Sequence, residues 1–402
     1  MTSVKIARRV TDIRVSPSTV AAQKARDLKA EGRDIVDLTV GEPDFDTPEA
    51  IKEVAIAAIR AGETKYTPVN GTIALRKAIQ HDYSTRLGID CALDAICVGG
   101  GAKQILFLAL TATVESGDEV IIPAPYWVSY PDMVVANGGT PVIVRCDEAA
   151  RFKLTAEALE AAITPATRWV VLNSPSNPTG VAYTAAELRA LGEVLLRHPH
   201  VMVLCDEIYD RIWYADFPVQ SIASVMPELA GRALVVNGVS KSYAMTGWRI
   251  GYASGPKVLI DAINKLQSQS SSCPSSISQA AAAAALTGDQ SSVEATVQVY
   301  RDRCEKTWER LNAIDGLSCV RPDGAFYLYP NCAGVIGKTT PEGKVIENDL
   351  DFVIYLLETA GVASIHGGAY GLEPHFRIST ATSMDILEDG CARIEKACKA
   401  LS

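Results

Sequence analysis

The chain has 402 residues, 48% of them hydrophobic and 21% charged, and its formal net charge is −9. This length predicts two or three domains with a substantial core, and the composition contains no segment typical of disorder. The negative charge argues against nucleic acid or an anionic membrane as a partner, because both attract basic surfaces.

The first ninety residues predict three helices and one short strand, namely helices over 20–32, 48–62 and 72–87 and a strand over 35–40. The second helix carries the clearest start signal. Thr47 precedes Pro48, which is typical of a threonine N-cap followed by proline in the first helical position.

From residue 96 onward, short apolar runs alternate with helical segments. Six of these runs are predicted to be buried strands, at 96–98, 120–122, 141–144, 169–172, 201–204 and 234–236. Such alternation predicts an α/β fold in which helices cover both faces of a mainly parallel sheet. Ligands bind sheets of this kind at the carboxyl ends of the strands.

Beyond residue 252 the alternation is lost. The expected elements are a serine-rich loop over 267–279, a long helix over 291–313, strands over 317–320, 325–328 and 376–379, an exposed loop over 331–349, and helices over 351–360 and 384–401. These predict a smaller α+β domain over 291–402. Residues 1–48 are expected to form an N-terminal arm and part of that small domain, and 49–290 the large domain.

The ten cysteines are irregularly spaced and contain no C-x-x-C pair. Because the N-terminus also lacks a secretory signal, we expect reduced thiols in a cytoplasmic protein. No apolar run approaches the length of a membrane span. The five histidines lack the spacing of metal ligands, so no metal site is expected.

Lys241 lies just beyond the predicted strand 234–236, among glycine, serine and aromatic residues. A lysine in such a place can lose its hydration, and its amine then becomes the nucleophile that Schiff-base chemistry requires. An isolated lysine in a loop is more often an ordinary surface charge. The residues predicted to lie near it must therefore decide between the two interpretations.

Three further features are predicted to lie at the same sheet edge. The glycine turn at 99–103 precedes a helix, which makes it a candidate anion site. Asp206 ends a fully apolar strand, where a carboxylate either caps a helix or awaits a cationic partner. Arg249 could hold a phosphate or form a structural ion pair. Together with Lys241 they suggest pyridoxal 5′-phosphate, which needs an anchored phosphate, a carboxylate at its ring nitrogen and a Schiff-base lysine.

The sequence also resembles a known family. The segment from Ser240 to Gly251, S-K-S-Y-A-M-T-G-W-R-I-G, resembles the lysine motif of class I aminotransferases of fold type I. N-P-T-G, D-E-I-Y, G-E-P-D-F, P-Y-W and F-R-I-S resemble further motifs of the family and occur in its order. The resemblance covers nearly the whole chain and is strongest to the gamma subgroup, the rhizobial-type aspartate aminotransferases.

The resemblance implies a role for each motif residue in cofactor binding. Lys241 would bind the cofactor covalently and move the proton, Asp206 would pair with the ring nitrogen, and Trp127 would stack on the ring. Tyr209 and Asn177 would bind the phenolic oxygen. The phosphate would be held by a set of residues that includes one from the neighbouring subunit of a homodimer: Gly101, Ala102, Lys103, Ser240, Arg249 and the neighbour's Tyr66.

For the substrate, the resemblance implies that Arg377 binds the α-carboxylate together with Asn177 and Gly41, beside Trp127. The implied reaction is a ping-pong transamination through pyridoxamine phosphate, with aspartate as the first choice of amino donor and 2-oxoglutarate as acceptor.

Two departures from the family leave the distal side of the substrate open. No arginine occurs in 267–279, where the enteric-type enzymes have one for the distal carboxylate. The position before Pro17, basic in similar gamma-subgroup members, is Ser16, although Arg14 could substitute. An aminotransferase for aromatic, prephenate-type or other neutral amino acids is therefore an alternative. A fold type I lyase is another, and a non-catalytic regulator is disfavoured by the retained lysine and the acidic charge.

Overall fold

The computed structural model describes residues 4–13 and 17–402, so that Arg14 and Ser16 lie outside the described residues. The strands are β1 (Val36–Asp37), β2 (Ile96–Gly99), β3 (Glu119–Ala124), β4 (Thr140–Arg145), β5 (Thr167–Asn173), β6 (Met202–Asp206), β7 (Ala233–Gly238), β8 (Gly251–Ser254), β9 (Tyr327–Leu328), β10 (Val362–Ala363), β11 (Ile365–His366) and β12 (Phe376–Ser379).

The α-helices alternate with these strands in the first two thirds of the chain. They are α1 (Arg8–Thr11), α2 (Pro17–Ala30), α3 (Glu49–Arg60), α4 (Ile73–Asp82), α5 (Ala102–Thr113), α6 (Ser129–Ala136), α7 (Ala156–Ala162), α8 (Ala185–Arg197), α9 (Ile222–Val225), α10 (Lys257–Ser270), α11 (Ser276–Thr287), α12 (Ser291–Asn312), α13 (Asp349–Tyr355) and α14 (Met384–Lys399). Within the described ranges, none of them is long and apolar enough to span a bilayer.

The large sheet has seven strands in the order β2-β8-β7-β6-β5-β3-β4. All neighbours pair in parallel except β8, which is antiparallel to both β2 and β7. One face packs on an apolar layer that includes residues of α4, α8 and α11, and the other on a layer from α5, α6 and α10. The predicted α/β fold with a mainly parallel sheet is confirmed.

A second, smaller assembly contains the antiparallel sheet β11-β12-β9 and the parallel pair β1-β10. Its apolar core combines Val36 and Leu38 from the N-terminal segment with residues of α12, α13 and α14. These contacts support a division in which the N-terminal segment belongs partly to the small domain, and we propose the boundaries near residues 48 and 290 on that basis.

The predicted N-cap Thr47 is wrong. The helix α3 begins at Glu49, with Pro48 in the cap position and no side-chain cap. The Thr47 hydroxyl instead donates to the carbonyl of Ala244 at 2.7 Å and accepts from Trp248 Nε1 at 3.0 Å. A tertiary contact with the segment beyond Lys241 has replaced the local cap.

Three other expectations in the second half are corrected. Most of the predicted loop 267–279 is helical, since α10 continues to Ser270 and α11 begins at Ser276. The predicted strand over 317–320 is reduced to an isolated bridge between Ser318 and Asn331. The predicted exposed loop 331–349 is anchored by side chains that are buried in the small core, namely Cys332, Val335 and Ile346.

Candidate active site

A cavity of about 550 Å³ opens at the carboxyl edge of the large sheet, where the smaller assembly meets it. The sequence predicts thirteen site residues. Eleven of them line this cavity: Gly41, Ala102, Lys103, Trp127, Asn177, Asp206, Tyr209, Ser240, Lys241, Arg249 and Arg377. Gly101 and Tyr66 are absent from the lining, and Tyr66 is 90% exposed on this chain.

The topology explains why these residues meet. Asp206 is the last residue of β6, and Lys241 is the third residue beyond the end of β7. The helix α5 begins at Ala102, directly beyond the turn that follows β2. Because β2, β6 and β7 all run in the same direction, their carboxyl ends lie at one edge of the sheet.

The Lys241 amine is held inside the cavity, where its Nζ donates to the carbonyl oxygen of Gly41 at 2.6 Å. Burial is the main cause that lowers the pKa of Lys241 to about 8; Arg377 and two other nearby cations act in the same direction, whereas Glu42 opposes them. More neutral amine is thus present near neutral pH than at an ordinary lysine, which favours nucleophilic and proton-transfer chemistry.

Asp206 is 4% exposed, and its carboxylate faces the cavity. Its Oδ2 accepts from the Tyr130 hydroxyl at 2.7 Å, and its Oδ1 has a longer contact of 3.4 Å with the backbone N–H of Ile208. Burial raises the pKa of Asp206 to about 6, although the Tyr130 hydrogen bond and the Lys241 charge oppose this rise. A buried carboxylate without a contacting cation is suited to a cationic ligand.

An anion cradle lies at the first turn of α5. Gly101 has a φ of +99°, and a Cβ there would lie 2.3 Å from Arg249 Nη2. A Cβ on Gly251 would lie 2.1 Å from the Ala102 nitrogen. Arg249 is fixed by hydrogen bonds to the carbonyls of Thr246 and Gly100, at 2.9 and 3.3 Å. The two glycines thus allow a guanidinium to approach helix N–H groups that have no intrahelical acceptor.

Trp127 forms a wall of the cavity and is fixed by neighbours on both sides. Its ring meets that of Tyr130 edge-on, with the centroids 5.3 Å apart. The Lys103 ammonium lies 4.6 Å from the Trp127 ring centre. Burial and the charge of Arg249 lower the pKa of Lys103. The indole therefore presents a fixed aromatic face beside a partly desolvated cation.

Arg377 enters the cavity from β12 and is only 3% exposed. Its Nη2 donates to the Thr39 carbonyl at 2.6 Å, and its Nη1 to Asn177 Oδ1 at 3.0 Å. Within residues 4–13 and 17–402, no carboxylate forms an ion pair with it and its Nε has no hydrogen-bond partner. An oriented, buried guanidinium without a counter-ion is suited to a carboxylate ligand.

The prediction missed several residues that line the same cavity: Arg26, Glu42, Tyr130, Asn173, Thr246 and Tyr327. Tyr130 is the most consequential, because it is the hydroxyl donor to Asp206. It follows Trp127 by three residues at the start of α6, but nothing in that local pattern connects it with a residue 76 positions later. Asn173 could have been found, because it ends β5 as Asp206 ends β6.

The part of the chain that the structure describes contains no cluster of three or more histidine, cysteine or acidic side chains able to hold a metal ion.

Comparisons with known proteins agree with this geometry. The family model for aminotransferase class I and II matches residues 33–394. An aspartate aminotransferase of Rhizobium meliloti is 54% identical over 98% of this chain and 97% of its own length. A probable aspartate/prephenate aminotransferase of Rhizobium leguminosarum is 53% identical over 96% and 97%. The crystal structure of an aspartate aminotransferase from Rhizobium meliloti superposes with a TM-score of 0.98 over 100% of both chains, at 53% identity.

The raised pKa of Asp206 has a consequence for stability without ligand. Above its ordinary pKa of 3.8 the unfolded chain releases the proton that the folded protein keeps up to about pH 6, so stability falls as the pH rises through this window. We expect Asp206→Asn to raise the unfolding free energy at pH 8 by about 3 kcal/mol and to change it little at pH 3.5. Urea unfolding of the ligand-free protein at both pH values measures the difference.

The exposed Asp261, which pairs with Lys257 on the surface of α10, supplies the control for this measurement. Asp261→Asn is expected to change the unfolding free energy by less than about 1 kcal/mol at either pH. If Asp206→Asn stabilised the protein equally at pH 3.5 and pH 8, the raised pKa of Asp206 would not be the cause of the stabilisation.

Proposed function

The chain belongs to the class I and II aminotransferases, and on that premise we propose that it transfers the amino group of L-aspartate to 2-oxoglutarate with pyridoxal 5′-phosphate as its cofactor. The observation that carries the proposal is the pair formed by Lys241 and Asp206. A desolvated amine and a buried carboxylate face one cavity without pairing with each other.

The residues present fit this cofactor. The cradle formed by Gly101, Arg249 and the first turn of α5 suits its phosphate, since a Cβ at Gly101 would fill the space beside the guanidinium. Ser240 lines the same cavity. The Asp206 carboxylate, bonded on one side to Tyr130, suits a protonated ring nitrogen.

When bound, pyridoxal 5′-phosphate supplies the electron-accepting ring and the carbonyl carbon that holds the amino group between the two half-reactions. The chain's own residues supply the remaining functions. Lys241 would hold the cofactor through its amine, and its neutral Nζ would move a proton at the substrate Cα. Asp206 keeps a positive charge on the ring nitrogen, which requires the carboxylate to stay ionised.

Three side chains orient the ring. Trp127 presents its indole face as a stacking surface. Tyr209 and Asn177 are the proposed donors to the phenolic oxygen, and both line the cavity. Burial raises the pKa of Tyr209 well above its ordinary value, so its hydroxyl remains a neutral donor throughout the working pH range.

The substrate α-carboxylate is proposed to bind Arg377, next to Asn177 and the backbone of Gly41. Two nitrogens of Arg377 already donate hydrogen bonds to protein acceptors, so the orientation of the guanidinium is fixed before the substrate binds. Such preorganisation lowers the entropic cost of binding a carboxylate. The Gly41 carbonyl, which accepts a hydrogen bond from Lys241 Nζ, connects the same segment with the proposed catalytic amine.

A second carboxylate on the substrate needs a second cation, and the cavity contains two cationic side chains without another proposed role, since only the backbone of Lys103 is proposed to contact the phosphate. Lys103 is exposed as a residue, but its ammonium lies over the Trp127 ring and desolvation lowers its pKa. Arg26 is also exposed, and its guanidinium is bonded to Gln23. Lys103 is the better candidate, because its partly desolvated charge interacts more strongly with an anion than a fully hydrated charge does. This cation supports aspartate and 2-oxoglutarate as the substrate pair.

A specific observation keeps prephenate-type substrates as the second candidate. The relative from Rhizobium leguminosarum is described as a probable aspartate/prephenate aminotransferase, and it is nearly as similar to this chain as the aspartate aminotransferase from Rhizobium meliloti. Prephenate is also a dicarboxylic 2-oxo acid. The Lys103 ammonium could therefore bind its second carboxylate as well.

We further propose a homodimer with shared active sites. Tyr66 is 90% exposed, and the apolar side chains of Ile59 and Ile73 in the flanking helices are each more than half exposed. Exposed apolar side chains grouped around an exposed tyrosine are typical of a protein interface. Tyr66 would then contact the phosphate site of the partner.

A cytoplasmic location is proposed from the ten unpaired cysteines.

Replacing the proposed nucleophile tests the mechanism. We expect Lys241→Ala to lower kcat by at least about 10⁴-fold, since both covalent attachment and proton transfer are lost, and to remove the visible absorbance of the attached cofactor. Lys257→Ala, at an exposed lysine of α10, serves as the control and should leave both unchanged. Turnover of Lys241→Ala at the rate of the unmodified enzyme would refute the mechanism.

Substrate choice is tested by half-reactions. The purified enzyme is mixed separately with aspartate, glutamate, phenylalanine and cysteine while the cofactor spectrum is followed. Prephenate, which is an oxo acid, is mixed with enzyme whose cofactor has first been converted to the amino form. We expect Lys103→Met to lower kcat/KM for aspartate about 10- to 100-fold and that for phenylalanine much less. Arg26→Met should have the smaller effect on aspartate.

Equal losses for aspartate and phenylalanine would argue against Lys103 as the second cation. Release of pyruvate and ammonia from cysteine, without dependence on an oxo acid, would identify a lyase instead.

Subunit mixing tests the shared site. Lys241→Ala and Tyr66→Ala homodimers are each expected to be impaired, but a mixed dimer contains one site with both Lys241 and the neighbour's Tyr66 intact. Random reassortment should therefore restore about a quarter of the activity of the unmodified enzyme. If Tyr66 acted within its own subunit, mixing would restore nothing.

A further inference from the structure

Tyr327 has no role in the function proposed above, yet it lines the cavity. It is fully buried on β9 of the small sheet. Its backbone partner in the adjacent strand β12 is Ser379, two residues from Arg377. The sheet therefore places the backbone of Tyr327 beside that of the strand that contains Arg377.

The ring of Tyr327 supports Arg377 from one side. The guanidinium carbon lies 4.5 Å from the Tyr327 ring centre, compared with 5.4 Å from that of Tyr370. Cation–π attraction is strongest when the cation has lost its water, and Arg377 is 3% exposed. The aromatic face thus takes the place of a carboxylate, which would compete with the substrate.

The hydroxyl of Tyr327 points the other way, toward the proposed cofactor contact. It lies 2.9 Å from the hydroxyl of Tyr209, and the two rings meet nearly edge-on, 5.6 Å apart. It also packs close to Gly41, where an added Cβ would lie 3.3 Å from the Tyr327 oxygen. Gly41 in turn provides the carbonyl that accepts from Lys241.

We propose that Tyr327 is a positioning residue that couples the substrate-carboxylate site to the cofactor site, its ring face holding Arg377 and its hydroxyl orienting Tyr209. This inference rests on the roles proposed above for Arg377 and Tyr209. Burial raises the pKa of Tyr327, so its hydroxyl remains protonated and can donate to Tyr209 while Tyr209 donates to its own acceptor.

Two substitutions separate the two contacts. Tyr327→Phe keeps the ring face under Arg377 and removes only the hydroxyl. Tyr327→Leu removes both. Tyr370→Phe is the matched control: it removes a buried tyrosine hydroxyl near Arg377 that has no hydrogen-bond partner among the described residues. Circular dichroism and thermal unfolding first establish that each variant is folded.

The two contacts are measured by different signals on the cofactor-loaded protein. The pH at which the visible absorbance of the bound cofactor titrates reports on Tyr209, because a weaker donor to the phenolic oxygen leaves the chromophore protonated to higher pH. The Kd of succinate, which carries carboxylates but no amino group, reports on Arg377. Neither signal depends on turnover.

For Tyr327→Phe we expect the absorbance titration to rise by about 0.5 to 1 pH unit and the succinate Kd to stay within about twofold. For Tyr327→Leu we expect the same spectral shift and a succinate Kd about three- to thirtyfold weaker. Tyr370→Phe should leave the titration in place.

The proposal is overturned if Tyr327→Phe leaves the titration unchanged, if Tyr327→Leu leaves the succinate Kd unchanged, or if Tyr370→Phe shifts the titration as much as Tyr327→Phe does. A failure of the proposed function would look different. In that case the unmodified protein itself would bind no pyridoxal 5′-phosphate or would show no spectral change with any amino acid.

Discussion

The structure depends on two buried groups of opposite charge that face one cavity without neutralising each other. Lys241 donates to the Gly41 carbonyl, and Asp206 accepts from the Tyr130 hydroxyl. Burial lowers the pKa of the amine and raises that of the carboxyl, so both groups are destabilised in their charged forms. Pairing them directly would relieve this cost but would remove both from chemistry. The fold keeps them apart by placing each at the end of a different strand, which leaves each available to one part of a ligand.

The other charged residues that line the cavity are mostly cations. Lys103, Arg249 and Arg377 add positive charge around it, and among the described residues that line it the only carboxylates are those of Asp206 and Glu42. An excess of cations in a partly closed site attracts ligands that carry phosphate and carboxylate groups. The whole chain is nevertheless acidic. Local charge and overall charge therefore have opposite signs, and only the local charge bears on what the site binds.

The site is assembled from both structural units, which has a mechanical consequence. Arg377 belongs to the small sheet, but its guanidinium is bonded to Asn177, which follows a strand of the large sheet. Tyr327 and Tyr209 form a second bond between the units. Both contacts lie at the cavity wall. A change in the relative position of the two units would consequently alter the carboxylate site and the cofactor site together.

The sequence by itself determined the parallel sheet and the residues at its carboxyl edge, including Lys241 and Asp206, because strand ends and motif spacing are local properties. It could not predict contacts between distant segments. Thr47 bonds to Ala244 instead of capping its helix. Residues 267–279, serine-rich and loop-like in sequence, are largely helical, and Gln267 within them is bonded to the carbonyls of the distant Val69 and Val98. Tyr130 and Tyr327 likewise acquire their functions only from partners brought together by the tertiary fold, since a hydroxyl has no identifiable role until its acceptor is in place.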